Sequence, residues 1–264
     1  MQRLGQHFLK NRSALKLIAE SIPSGEEGVI IEIGPGHGEL TEFLKTTKKK
    51  IFAIEKDHSL YKALAEKFKD NHDDRQITFI AGDARDALPT AVQEVAGRGL
   101  SYHIVGNIPY YITGRLMRII GELTPRPKTC IFTIQKEVAE RICAVPPHMN
   151  RLAASVRFWA EPSILKILKA ADFVPPPKVD SAILLLETSA LKEGAGNYYA
   201  AVRALFAQPR KTIGNNIAAG TGKAAKTIAE ELSRLSIDPS ARPQDLTPEK
   251  IRAVADALFK NIPN

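Results

Sequence analysis

The run Gly28-Val29-Ile30-Ile31-Glu32-Ile33 reads as an apolar strand that stops at Gly34-Pro35-Gly36-His37-Gly38, after which Leu40, Phe43 and Leu44 recur at helical spacing. Strand, glycine loop and helix make one βα unit, whose glycines let the backbone approach a ligand closely. A buried strand of this kind must find strand neighbours through crossover helices. The rest of the chain supplies them. Further strands are expected at 51–54, 77–80, 103–105, 130–134, 164–168 and 182–186, with helical periodicity in most of the intervals. The expected fold class is therefore α/β, a doubly wound, mostly parallel seven-stranded sheet. Past Thr188 the pattern turns helical over 198–206, 213–217, 224–235 and 248–259. A small all-α C-terminal domain follows from this, with 1–189 and 190–264 as the two domains and Gly194-Ala195-Gly196 marking the junction.

A glycine loop after a strand is common to nicotinamide, flavin and S-adenosylmethionine sites, so its spacing carries the information. Here the pattern is Glu32-x-Gly34-x-Gly36-x-Gly38. Dinucleotide sites place the third glycine one position later, permitting a helix to pack beneath a pyrophosphate. A cofactor without phosphates needs no such cradle. Glu55 ends the second strand about 20 positions beyond the first glycine, where an acidic residue accepts from both ribose hydroxyls of an adenine-containing cofactor. Asp83 follows the third strand in Gly82-Asp83-Ala84 and is a candidate acceptor for the cofactor's adenine amine. These features favour S-adenosylmethionine.

The fourth strand runs into Gly106-Asn107-Ile108-Pro109-Tyr110, a stretch in which Gly106 and Pro109 are expected to turn the backbone at the strand's carboxyl edge. Ligands bind along that edge in open α/β sheets. An adenine amine is a poor nucleophile while its lone pair is delocalised into the ring. Acceptors for its two hydrogens favour a pyramidal nitrogen, and Asn107 Oδ1 with the Ile108 carbonyl are candidates for that work. Tyr110 would stack on the base, worth roughly 1–3 kcal/mol. An isolated Asn-x-Pro-Tyr turn also reads as a helix cap beside a half-buried tyrosine.

Hydrophobic residues make up 44% of the 264 positions, enough for a sizeable core, and no apolar run is long enough to span a membrane. The amino terminus lacks the apolar segment of a signal peptide, so a cytoplasmic protein is expected. Cys130 and Cys143 have neither metal-ligand nor redox spacing, and no metal site is expected. The net charge of +8 points to an anionic partner. From Ala190 onward there are 11 Lys and Arg against 7 Asp and Glu, so half of the excess sits in under a third of the chain. There the cluster Gln208-Pro209-Arg210-Lys211-Thr212 precedes a helix, and Arg210 and Lys211 are either phosphate contacts or a solvated charge pair. Between the last two expected strands lies Asp172-Phe173-Val174-Pro175-Pro176-Pro177-Lys178-Val179-Asp180-Ser181. Its prolines make it stiff, and Phe173 is either a second stacking face or an ordinary core residue.

Several motifs now stand in order: Leu4-Gly5-Gln6-His7-Phe8-Leu9, Glu32 to Gly36, Ile54-Glu55-Lys56-Asp57, Gly82-Asp83-Ala84, Gly106 to Tyr110, Gln135-Lys136-Glu137-Val138, Phe173 to Ser181, and Arg210-Lys211-Thr212-Ile213. In this order the sequence closely resembles the ribosomal RNA adenine dimethyltransferases, the kasugamycin-resistance family of small-subunit rRNA modifying enzymes. The resemblance implies a Rossmann-like methyltransferase in which His7 and Leu9 fold over S-adenosylmethionine. It also implies that Gly34 and Gly36 underlie the cofactor's methionine part and that Glu55, Asp83 and Asn107 contact it. The implied substrate is a precursor of the small (30S) ribosomal subunit, in which two adjacent adenines of the 3′-terminal 16S rRNA hairpin each gain two methyl groups. A monomer is expected. Two stretches depart from the family's pattern: residues 144–151 look shortened, and Pro209 stands where a polar or basic residue is common. The alternatives are the related family that methylates large-subunit rRNA, a non-catalytic assembly factor, and, disfavoured by the glycine spacing, a nicotinamide oxidoreductase.

Overall fold

Capping side chains determine where many of the helices begin. In the computed structural model, which describes residues 7–25, 28–69, 76–189 and 193–260, strand β1 (Phe8–Leu9) leads to Asn11. The Asn11 side chain accepts from Ala14 N–H at 3.0 Å and starts α1 (Arg12–Glu20), which buries Ala14, Leu15, Ile18 and Ala19 along one face. Asp57 and Asn150 cap later helices in the same way, each cap worth about 1 kcal/mol. Leu4-Gly5-Gln6 of the N-terminal motif and the 190–192 junction lie outside the described residues.

The chain continues through β2 (Gly28–Ile33), α2 (Glu39–Lys45), β3 (Lys50–Glu55), α3 (His58–Lys67), β4 (Ile77–Ala81), α4 (Ala84–Gly97) and β5 (Ser101–Asn107). Then come α5 (Thr113–Glu122), β6 (Thr129–Gln135), α6 (Lys136–Cys143), α7 (Arg151–Arg157), β7 (Ala160–Leu168), β8 (Phe173–Val174) and β9 (Ser181–Thr188). The last helices are α8 (Ala195–Leu205), α9 (Ile213–Thr221), α10 (Ala225–Arg234) and α11 (Pro248–Leu258). Seven strands form one sheet in the order β4-β3-β2-β5-β6-β9-β7. The pairs β4-β3, β3-β2, β2-β5 and β5-β6 are parallel, and β9 runs antiparallel to β6. A separate antiparallel ladder joins β1 to β8, matching Phe8 with Val174 and Leu9 with Phe173.

The parallel register levels the carboxyl ends of the central strands. Ile33 stands opposite both Ile54 and Gly106, and Glu55 opposite Ala81. Gly106 belongs to β5 itself, contrary to the expected turn there. A Cβ at this position would sit 2.4 Å from the Ile33 carbonyl oxygen, so only glycine lets β5 lie this close to β2. The bend comes at Pro109, before a 3₁₀ turn over Tyr110–Ile112.

The chain divides into two compact units, Met1–Ala139 with Pro162–Thr188, and Glu140–Glu161 with Ser189–Asn264. This differs from the single cut at 189/190 expected from sequence, because α7 packs on α8 and α11. In the second unit Tyr198 of α8 donates its hydroxyl to the Ala154 carbonyl at 2.9 Å. Its core takes Trp159, Tyr198, Ile213, Ile217, Leu232, Ile251 and Leu258, all nearly inaccessible. Burying each of the leucines and isoleucines is worth about 1.5–3 kcal/mol. No described helix is long and apolar enough to cross a membrane.

Candidate active site

Four consecutive strand tips converge on one cleft. Gly34 and Gly36 follow β2, Glu55 ends β3, Asp83 follows β4, Asn107 ends β5, and Ile108 and Tyr110 follow it; all line the cleft, together with His7 and Phe8. The space between these residues, open mouth included, is about 830 Å³.

Each side chain is held by its local fold. Glu55 is buried, with Gly36 N–H donating to its Oε2 at 3.2 Å and Asp57 N–H to its Oε1 at 2.8 Å. It thereby ties the glycine loop to the tip of β3. Burial raises its carboxyl pKa, opposed by those two backbone donors. Gly36 has φ +63°, and a Cβ there would meet the Phe8 ring at 2.8 Å, so this loop and the N-terminal segment pack only without a side chain.

Asp83 caps α4. Its Oδ1 accepts from Arg85 N–H at 3.0 Å and Arg85 Nε at 2.9 Å, and its Oδ2 from Arg85 Nη2 at 2.5 Å, with Lys56 Nζ at 3.0 Å. The Arg85 fork, foremost, holds this carboxyl far below the usual carboxylate range. Asp83 is therefore a fixed negative charge whose acceptor positions are filled by protein donors.

Asn107 Nδ2 donates to the His7 carbonyl at 2.6 Å. Tyr110 exchanges a hydrogen bond with Ser181 Oγ at 2.9 Å, and burial pushes its phenol pKa up, keeping it neutral. The His7 ring lies 6.0 Å from that of Tyr110 with 22° between their planes, and its Nδ1 donates to the Pro175 carbonyl at 2.8 Å. Ile108 N–H is used by the Thr133 carbonyl at 3.0 Å.

Two expected site residues have side chains that do not line this cleft. Phe173 is 2% exposed and packs in the core with Leu15, Ile18 and Ile183, so it is a core residue and not a stacking face of the cleft. Leu9, its ladder partner, joins the same core. Neighbouring residues of a strand point to opposite faces, so Phe8 lines the cleft and the Leu9 side chain does not. Arg210 and Lys211 lie in the second unit, both exposed, on a turn that Asn216 of α9 ties down by donating to the Gln208 and Lys211 carbonyls.

Glu32, Arg85, Ser181 and the 63%-exposed Tyr111 at the cleft's edge had no role expected of them from the sequence. Glu32 did leave a signal, being the one charged residue in an apolar strand. It is fully buried, accepts from Thr41 Oγ1 at 2.7 Å through Oε2, and its Oε1 has no partner among the described residues. Burial pushes its pKa up to about 8 against the opposing Thr41 hydrogen bond. Among the described residues no group of three or more His, Cys, Asp or Glu side chains could hold a metal ion.

A mostly parallel sheet with this strand order, a glycine loop after β2 and an acidic tip on β3 define a Rossmann-like methyltransferase. Solved structures with this fold include a dimethyladenosine transferase from Plasmodium falciparum (TM-score 0.76, 22% identity, covering 96% of this chain and 100% of that one). The 23S rRNA methyltransferase ErmE is similar in shape as well (TM-score 0.73, 23% identity, 95% and 99% covered). The model of the ribosomal RNA adenine dimethylase family matches residues 1–258. A ribosomal RNA small subunit methyltransferase A of Dehalococcoides mccartyi (strain CBDB1) is 36% identical over 251 residues, 94% of this chain and 84% of the relative. Its counterpart in Caldanaerobacter subterraneus subsp. tengcongensis is 33% identical over 270 residues, 98% and 97% of the two chains. The chain belongs to the ribosomal RNA adenine dimethylase family and is an rRNA adenine dimethyltransferase.

Proposed function

We propose that this chain transfers methyl groups from S-adenosylmethionine to the N6 amines of two adjacent adenines in the 3′-terminal hairpin loop of small-subunit (16S) rRNA, within a 30S precursor, and so takes part in small-subunit biogenesis. The observation that carries this reading is the convergence of Gly34, Gly36, Glu55, Asp83, Asn107 and Tyr110 on one cleft.

The cleft's own chemistry fits the cofactor. A loop that admits no side chain at Gly36 suits the approach of a methionine moiety, and buried Glu55 suits a ribose diol. Asp83 serves the adenine amine once that amine displaces the Lys56 ammonium, the more exposed of its two cationic partners. S-adenosylmethionine supplies an electrophilic methyl group, and no general base is needed before transfer. The chain's work is to present the amine. Asn107 Oδ1 and the Ile108 carbonyl accept its hydrogens and localise the lone pair, while Tyr110 holds the flipped-out base by its face. Arg210 and Lys211 contact the RNA backbone from the helical region over 190–264. The protein works as a cytoplasmic monomer.

The test is transfer of labelled methyl from S-adenosylmethionine to small ribosomal subunits from a strain lacking the modification, with large subunits as control. Dimethyladenosine confined to small-subunit RNA is expected. Label in large-subunit RNA alone would replace this reading with the related large-subunit activity.

A further inference from the structure

Asn107 is useful to an amine only if its oxygen, not its nitrogen, faces the substrate. An amide side chain has no intrinsic preference between those two orientations. We propose that the N-terminal segment makes the choice, with His7 as the positioning residue; this rests on the reading of Asn107 as the acceptor for the target amine. The His7 main-chain carbonyl lies 2.6 Å from the terminal amide of Asn107. A carbonyl oxygen only accepts, so the atom turned toward it must be Nδ2, and Oδ1 is left as the free acceptor. The His7 carbonyl is in turn held by its own side chain. Nδ1 lies 2.8 Å from the Pro175 carbonyl, another acceptor-only group, so Nδ1 carries the proton. Two hydrogen bonds in series thus run from the proline segment through His7 to Asn107. The next residue, Phe8, packs its ring 4.4 Å from that of His37.

The experiment is steady-state methylation of small subunits by the full chain carrying His7→Ala, His7→Asn, Asn107→Ala or Asn107→Asp, with S-adenosylmethionine varied to saturation. His7→Ala should lower kcat roughly tenfold, the worth of one hydrogen bond, even at saturating cofactor. His7→Asn should restore kcat to within about threefold, because its side-chain N–H can replace that of Nδ1. In Asn107→Asp the carboxylate has no hydrogen for the His7 carbonyl, but the protonated acid does, so its rate relative to wild type should rise as pH falls. A change in the KM for cofactor with kcat intact would overturn the proposal, making His7 a cover for the cofactor and nothing more. Failure of His7→Asn to rescue, or a flat pH ratio for Asn107→Asp, would overturn it too. Near-normal transfer by Asn107→Ala would instead sink the reading of Asn107 itself, whereas a dead Asn107→Ala beside a fully active His7→Ala sinks only this inference.

Discussion

Asn107 and Tyr110 divide the handling of the base between hydrogen bonding and stacking, and single substitutions separate the two. Asn107→Ala should reduce methyl transfer by roughly 100-fold or more, the range for losing a transition-state hydrogen-bonding group, with an unchanged unfolding midpoint. Tyr110→Phe keeps the ring and loses only the Ser181 bond, so its transfer rate should stay within about tenfold of wild type. Tyr110→Ala should cost about 1–3 kcal/mol of base binding, read as a raised KM for rRNA. Glu32 makes a prediction of another kind. Its folded pKa of about 8 lies above the ordinary 4.5, so the folded state holds the extra proton. Its contribution to stability is present in full below pH 4.5 and is lost as pH rises through about 8. Glu32→Gln keeps an acceptor for Thr41 and removes the buried charge. It should stabilise the protein at pH 9 by several kcal/mol, about 1.4 kcal/mol for each unit of the shift, and change it far less at pH 5, as urea unfolding at the two pH values will report.

Strands and helices of ordinary length were legible in the sequence because their periodicity is local. All seven strands of the main sheet appear as apolar runs, and the glycine loop, Glu55, Asp83 and Asn107 fall at their tips as expected. What was not legible depends on partners remote in the chain. The β1-β8 ladder joins residues 164 and 166 positions apart through strands of two residues each, too short to show alternation. Phe173 and Leu9 sit in motifs that suggest a ligand, yet each is a large apolar side chain, and no local pattern tells a ring facing a cleft from one facing a core. The two roles for Phe173 predict different losses. Phe173→Ala should destabilise the fold by about 3–5 kcal/mol through the cavity it leaves, measurable by denaturant titration. A stacking role would have spared stability and raised the KM for rRNA. The extension of the second unit to Glu140–Glu161 was hidden for a related reason: helical spacing shows that α7 has an apolar face, not which neighbour covers it.

Across the whole molecule, charge and chemistry are distributed unequally. The cleft belongs to the first unit, while half of the net charge of +8 lies from Ala190 onward, including the exposed Arg210 and Lys211. Replacing either with alanine should weaken rRNA binding and lower the slope of log affinity against log salt by about 1, without changing kcat at saturating rRNA; binding measured at several salt concentrations checks this. The ladder that ties Phe8 and Leu9 to Phe173 and Val174 bears on how the enzyme comes into being. His7 waits for Pro175, and Tyr110 for Ser181, so neither can meet its partner until some 180 residues have left the tunnel of the ribosome that makes them. A nascent chain holding the complete glycine loop still lacks the closing strand of its own active site, and the cleft matures only when the tail of the catalytic unit emerges.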